Sequence, residues 1–242
     1  MLEINDIHKA FGGLTAVTGA SFTVEAGSIT ALIGPNGAGK TTAFNLVSGV
    51  LRPDRGSIRL KGEEITRLSP HVVASRGVSR TFQITRALSH LTVLENMIAA
   101  APPLRLRGLF ASKMARQEVE RAMDLLDFVG IDHLADNVAQ ELSYGQRKLL
   151  EFASAMMSDP DLVLLDEPAG GVNPTLLKRI VDRIRQLREN GVTFLIVEHN
   201  MDMVMKLCDS VVVMAHGAVL TQDTPTVVQE DPLVLDAYLG KV

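Results

Sequence analysis

The segment that most constrains this fold is Gly34-Pro35-Asn36-Gly37-Ala38-Gly39-Lys40-Thr41. It matches the pattern G-x-x-x-x-G-K-[ST], in which glycines let successive backbone N–H groups surround a phosphate chain. Lys40 would reach the β- and γ-phosphates, and the Thr41 hydroxyl can ligate Mg²⁺. The apolar run Ser28–Ile33 predicts a buried strand before this segment, and Thr42–Val47 opens a helix whose N-terminus would face the anion. The sequence therefore predicts a site for a nucleoside triphosphate.

Length and composition exclude several classes of protein. The chain has 242 residues, enough for one large α/β domain with a substantial core. A net charge of −4 argues against a dominant nucleic-acid surface, so we expect no nucleic-acid partner. Apolar runs such as Val211–Ala215 are far shorter than the roughly twenty residues of a membrane span. The N-terminus lacks a signal-peptide pattern, which predicts a cytosolic chain that touches membranes only peripherally.

Short apolar strands alternate with amphipathic helices, which predicts an α/β fold with a mostly parallel sheet. Two regions differ from this pattern. Residues 1–30 and 56–62 resemble short strands separated by turns, which predicts an N-terminal antiparallel β subdomain. Residues 88–158 carry almost no strand signal, and Ser112–Val129 shows helical spacing that stops at Gly130. We interpret 88–158 as a helical lobe inserted into an ATP-binding core formed by residues 1–87 and 159–242.

Polar side chains follow two later strands at the edge where ligands bind in parallel α/β sheets. The run Leu162–Leu165 ends in Asp166 and Glu167, and the run Thr193–Val197 ends in Glu198 and His199. After a phosphate loop, such an Asp166 is expected to hold Mg²⁺, and Glu167 to polarise the water that attacks the γ-phosphate. His199 is placed to contact the γ-phosphate, although a surface histidine without a role is the alternative.

A second motif, Leu142-Ser143-Tyr144-Gly145-Gln146, lies before the Asp-Glu strand. Ser143 and Gln146 have capping-box spacing, which predicts the start of a helix and a site attractive to anions. With the phosphate loop, this motif resembles the signature of the nucleotide-binding subunits of ATP-binding cassette (ABC) transporters, a family with a P-loop NTPase core. The resemblance implies a head-to-tail dimer in which each signature, here Ser143, Tyr144, Gly145 and Gln146, closes on the ATP held by the other subunit.

Other motifs of that family are matched residue by residue. Phe11 stands where the family places an aromatic ring against adenine, with a core phenylalanine as the alternative. Gln83 matches the loop glutamine that reaches Mg²⁺ and the attacking water and couples to the permease, with a solvated loop residue as the alternative. The segment 169–173 corresponds to the loop that crosses the dimer axis, although Asn173 replaces the usual Asp. Tyr144 replaces the usual Gly of the signature.

Four segments look like the larger ATPase subunit of branched-chain amino acid importers: 11–17, 79–83, 91–96 and 142–146. The resemblance implies ATP and Mg²⁺ as cofactors, polytopic permease subunits and a second ATPase subunit as partners, and an indirect link to a solute-binding protein. It also implies a peripheral position on the cytoplasmic face of the inner membrane. Within the family, the alternatives are import of urea, amides or aromatic acids, and export of lipid or polysaccharide. A soluble ABC-type ATPase and a non-catalytic sensor are further alternatives.

Overall fold

The central element of the computed structural model is a six-stranded sheet with strand order β10-β9-β3-β8-β7-β6. The model describes residues 1–81, 87–102 and 111–239, with 111–115 described by their backbone alone. All pairings in this sheet are parallel except that of β9 with β10. The strands are β3 (Ile29–Ile33), β6 (Val78–Arg80), β7 (Leu162–Asp166), β8 (Thr193–Val197), β9 (Ser210–Ala215) and β10 (Ala218–Asp223).

A second, antiparallel sheet is formed by the N-terminal part of the chain, in the order β2-β1-β4-β5. Its strands are β1 (Leu2–Phe11), β2 (Leu14–Val24), β4 (Arg55–Leu60) and β5 (Glu63–Glu64). Alternate residues of β1 and β2 are buried, as expected for strands that cover a core with one face only. By contrast, β3, β7 and β8 are buried at every position, because helices pack on one face of the parallel sheet and α1 with the antiparallel sheet packs on the other.

Helices surround the parallel sheet and connect its strands. Those of the core are α1 (Lys40–Val47), α2 (Pro70–Ser75), α6 (Pro174–Glu189), α7 (Met201–Leu207), α8 (Pro225–Glu230) and α9 (Pro232–Tyr238). Asn173 caps α6 by accepting a hydrogen bond from the Leu176 backbone N–H at 2.9 Å, and Pro174 begins the helix. No described helix is both long enough and apolar enough to cross a bilayer.

In the described part of the stretch between β6 and β7, the regular elements are helices, joined by turns and one isolated bridge between Thr92 and Val138. This stretch contains α3 (Val93–Ala100), α4 (Ala111–Val129), α5 (Tyr144–Ala155) and two 3₁₀ turns, Asp132–Leu134 and Ala139–Glu141. Their apolar faces meet in a shared core that includes Met97, Leu126 and Phe152. Helix α4 ends before Gly130, whose φ of +74° is left-handed, as the sequence predicted.

The predicted fold class is confirmed: a mostly parallel α/β core, an N-terminal antiparallel sheet and an inserted helical part. In detail, Ile29 and Thr30 belong to β3 of the parallel sheet, whereas the sequence pattern extended the antiparallel region to residue 30. The division into a core of 1–87 and 159–242 and a lobe of 88–158 stays a prediction.

Candidate nucleotide-binding site

The phosphate loop lies between the carboxyl end of β3 and the first turn of α1. Gly34 has a φ of +146°, and a Cβ atom there would lie 2.0 Å from the Met214 carbonyl oxygen. Only glycine fits this close approach of two backbones. The Ala38 carbonyl accepts a hydrogen bond from the Gly217 N–H at 3.1 Å, which holds the loop against the β9–β10 turn. The loop is therefore fixed by backbone contacts rather than by its exposed side chains.

The N-terminus of α1 is equipped to receive an anion. Its N-cap is Gly39, no side chain caps it, and its first turn contains no acidic residue. The first N–H groups of a helix lack partners within the helix and carry partial positive charge. Within this turn, Thr41 is exposed and Thr42 is half-buried, while Lys40 is buried. The arrangement fits a phosphate group placed at the helix N-terminus.

Lys40 brings a positive charge into the same loop. Its Nζ donates hydrogen bonds to the carbonyl oxygens of Gly34, at 2.7 Å, and Pro35, at 2.9 Å. Burial lowers the pKa of Lys40, and the negative charge of Glu167 partly offsets this effect. Among the hydrogen bonds described, this ammonium uses two of its three donors, which leaves capacity for a phosphate oxygen.

Strands β7 and β8 bring three of the predicted residues to the same edge of the sheet. Asp166 pairs in register with Val197, and the Glu167 N–H donates to the Val197 carbonyl at 2.9 Å. His199 Nε2 lies 3.2 Å from Glu167 Oε1. Glu167 has a φ of +48°, a backbone conformation that non-glycine residues rarely adopt and that is typical of functional sites. The carboxylate and the imidazole therefore lie within ion-pair distance of each other.

Asp166 is the buried end of β7. Burial raises its pKa, and Arg80, whose guanidinium lies 3.6 Å away, opposes that rise. Mg²⁺ is bound in nucleotide sites by one or two protein oxygens together with phosphates and water, so Asp166 and Thr41 offer a suitable donor set. No cluster of three or more His, Cys, Asp or Glu side chains suited to a metal occurs in the described ranges. The described side chains thus fit a metal that needs substrate oxygens to complete its coordination.

Two residues for which the sequence predicts no role, Glu198 and Arg80, support this edge. Glu198 is buried, and its carboxylate accepts backbone hydrogen bonds from Ala169, His199 and Asn200. Arg80 donates to Asn45 at 2.6 Å and stands over the Phe44 ring. The only sequence signal for Glu198 was its place at the end of a strand, next to His199.

The signature turn has the predicted capping box. Ser143 Oγ accepts the Gln146 N–H at 3.3 Å, and Gln146 Oε1 accepts the Ser143 N–H at 2.8 Å. Gly145 packs so closely against Leu176 that a Cβ atom would lie 2.6 Å from its Cδ2. The Tyr144 hydroxyl donates to the Gly170 carbonyl. The turn therefore contacts the segment after Glu167, and its described hydrogen bonds do not reach its own phosphate loop.

Of the two remaining predicted residues, the structure describes Phe11. Phe11 ends β1 with 45% of its surface exposed, so it is not the core residue of the alternative interpretation. Lys9 Nζ lies 5.6 Å from the centre of its ring. Gln83 lies outside the described residues.

Comparison with known proteins identifies relatives over the whole chain. Residues 17–170 match the family described as ABC transporter. The probable branched-chain amino acid transport ATP-binding protein LivG of Archaeoglobus fulgidus is 43% identical, with 99% of this chain and 95% of the relative covered. The high-affinity branched-chain amino acid transport ATP-binding protein BraF of Pseudomonas aeruginosa is 40% identical, with 100% and 98% covered.

Solved structures give the same result. A nucleotide-free ATP-binding cassette from an ABC transporter superimposes with a TM-score of 0.88 at 34% identity, covering 98% of each chain. The ADP conformation of an ATP-binding cassette of an ABC transporter superimposes with a TM-score of 0.86 at 34% identity, covering 99% of this chain and 98% of the other. Since sequence and fold agree over nearly the full length, the chain belongs to the ABC transporter family.

Proposed function

We propose that this chain is the ATP-hydrolysing motor subunit of an importer for branched-chain or other hydrophobic amino acids. The observation that carries the catalytic part is the convergence of Lys40, Asp166, Glu167 and His199 at one sheet edge, with His199 3.2 Å from Glu167. The solute is supported by relatives of 36–43% identity, all named as branched-chain amino acid transport ATP-binding proteins.

In the proposed reaction, the phosphate loop and Lys40 hold the triphosphate of ATP. Glu167 accepts a proton from a water molecule, whose oxygen attacks the γ-phosphorus, and the bond to the β-phosphate oxygen breaks to leave ADP and phosphate. His199 orients the Glu167 carboxylate and contacts the γ-phosphate. Mg²⁺, when bound, neutralises charge on the phosphates, and Thr41, Asp166 and Gln83 are the residues that would hold it. Phe11 would stack on the adenine.

The proposed working unit contains two such ATPase subunits. The capped N-terminus of α5, at Ser143 to Gln146, offers backbone N–H groups and a partial positive charge. Because its described hydrogen bonds do not reach its own phosphate loop, we place it against the ATP of the second subunit. ATP binding would then close the pair, and hydrolysis would reopen it.

The permease has a candidate docking surface. A groove of about 1330 Å³ lies between α2, α3 and α5 and is lined by apolar side chains such as Val72, Ala99 and Leu150. Ser79 and Arg80 also line this groove, and we place a permease helix there. We place the subunit on the cytoplasmic face of the inner membrane, bound to the permease.

The test is a pull-down with tagged Glu167→Gln protein from detergent-solubilised native membranes in Mg-ATP. This variant keeps the phosphate loop but lacks the proton acceptor, so we expect it to retain the closed assembly. Mass spectrometry should find two polytopic permease subunits, a second ATPase subunit and a solute-binding protein, and the permease would identify the solute. Lys40→Ala is the matched control and should lose the nucleotide-dependent part of this recovery.

Two results would contradict the proposal. Recovery as a homodimer without membrane proteins would remove the transporter role. Full ATPase activity in the Glu167→Gln variant would remove the role given to Glu167.

A further inference from the structure

The tyrosine of the signature turn has a defined partner within its own subunit. Tyr144 is the first residue of α5, where the Ser143–Gln146 capping box fixes the direction of the helix. Its hydroxyl donates a hydrogen bond to the Gly170 carbonyl at 3.1 Å, although 42% of the side-chain surface is exposed. The contact joins the start of α5 to the turn that follows Glu167.

The ring of Tyr144 rests on the backbone of Gly171. A Cβ atom at Gly171, whose φ is +69°, would lie 3.0 Å from Tyr144 Cε1 and 3.4 Å from Cζ. Any side chain there would push the ring away, so glycine leaves the space in which the ring sits. The hydroxyl is thereby held in reach of the adjacent carbonyl.

A second residue of α5 holds the other end of the same turn. Lys148, one helical turn beyond Tyr144, is buried and donates from Nζ to the Glu167 carbonyl at 3.3 Å. That carbonyl also accepts the Gly170 N–H at 2.9 Å, which closes the turn from 167 to 170. Lys148 Nζ lies 5.9 Å from the centre of the Tyr144 ring, within the range of a cation–π contact.

Glu167 stands at the start of the turn that these contacts hold. Its φ of +48° is unfavourable for a residue with a Cβ atom and persists only where surrounding structure imposes it. We propose that Tyr144 is a positioning residue for Glu167: its hydroxyl ties the signature turn to the 167–170 turn and so aims the carboxylate. When the second subunit's nucleotide binds and displaces α5, the hydrogen bond from Tyr144 to Gly170 would transmit that displacement to Glu167. The proposal rests on the proposed function of Glu167.

The test compares Tyr144→Phe with wild type in the complex purified from membranes. Phenylalanine keeps the ring against Gly171 and removes only the hydroxyl. If Tyr144 acted only through the packing of its ring, the variant would keep the wild-type ATPase activity. Loss of one positioning hydrogen bond should lower the kcat for ATP hydrolysis about fivefold, with KM for ATP changing less than about twofold. Affinity for a fluorescent ATP analogue should stay the same.

Several results would overturn the proposal. Unchanged kcat in Tyr144→Phe would show that the hydroxyl does not position Glu167. A raised KM with unchanged kcat would show that the Tyr144 hydroxyl serves nucleotide binding and does not position Glu167. A wild-type complex without ATPase activity would overturn the proposed function of Glu167. The hydrogen bond between Tyr144 and Gly170 is tested separately by the spectroscopic measurement that follows.

A spectroscopic measurement keeps Tyr144 intact. This measurement uses the purified subunit alone, which has two tyrosines and no tryptophan, so Tyr238→Phe leaves Tyr144 as its only source of the phenol signal. Ultraviolet resonance Raman spectra should show a phenol that donates a hydrogen bond to a carbonyl in this variant. The spectrum of a water-exposed phenol would overturn the tie.

Discussion

Replacing Glu198 with Gln tests whether this buried carboxylate holds the segments that carry Glu167 and His199 in place. The Glu198 side chain is 3% exposed, and Oε1 accepts the Ala169 N–H at 2.7 Å. Oε2 accepts the N–H groups of His199 at 2.8 Å and Asn200 at 2.9 Å. One carboxylate therefore joins the segment after Glu167 to the segment that carries His199.

The size of the effect follows from these three bonds. A glutamine has one oxygen, which can keep the bonds from His199 and Asn200 only if its NH₂ group turns toward the Ala169 N–H. The variant then loses one charge-assisted hydrogen bond and places a donor against a donor, at a cost of about 2–3 kcal/mol in unfolding free energy. For a chain of this size, that lowers the melting temperature by about 4–12 °C. Glu198→Ala, which leaves three donors without an acceptor, should cost more.

Thermal and guanidinium denaturation, followed by circular dichroism, measure this loss. Because both Glu167 and His199 would shift, kcat for ATP hydrolysis should also fall about tenfold in the Gln variant. Glu189→Gln, at the exposed end of α6, is the matched control and should stay within about 0.5 kcal/mol of wild type. A Glu198→Gln protein that is as stable and as active as this control would refute the reasoning.

Three further predictions concern single side chains. Asp166→Asn should raise the melting temperature in a thermal scan, because burial, which raises the pKa of Asp166, disfavours a carboxylate there and the neutral amide carries no such cost; an unchanged or lower melting temperature would contradict this. The same variant should lower Mg-ATPase activity. Gly34→Ala should lose ATP binding in an equilibrium assay and unfold at lower temperature, because its Cβ atom would lie 2.0 Å from the Met214 carbonyl oxygen; wild-type affinity would contradict the geometry. Burial raises the pKa of the Cys208 thiol to about 12, so iodoacetamide should alkylate it at pH 8 at least about a hundredfold more slowly in the native protein than in urea, as followed by mass spectrometry.

The local chemistry of the site could be predicted from the sequence because it depends on short-range patterns. The phosphate loop, the strand ending in Asp166 and the capping box at Ser143 each consist of a few consecutive residues. The same holds for the Asn173 cap of α6, since a cap and its N–H partner are three residues apart. Periodicity also separated the helical stretch from the strands.

Contacts between distant parts of the chain were not visible in the sequence. The pairing of β7 with β8 sets His199 against Glu167, and neither residue alone indicates that distance. In the sequence, Glu198 is a polar residue at a strand end like any other. Only the fold shows that its carboxylate accepts the Ala169 N–H.

Tyr144 shows most clearly what each level of structure decided. The sequence alone determined that Tyr144 begins a capped helix, because capping depends on residues three positions apart. Only the tertiary structure decided that its hydroxyl reaches Gly170, twenty-six residues later in the chain. The physical reason is that helix propensity and capping act through neighbours in the chain, whereas a side-chain hydrogen bond across elements exists only after packing has fixed both backbones.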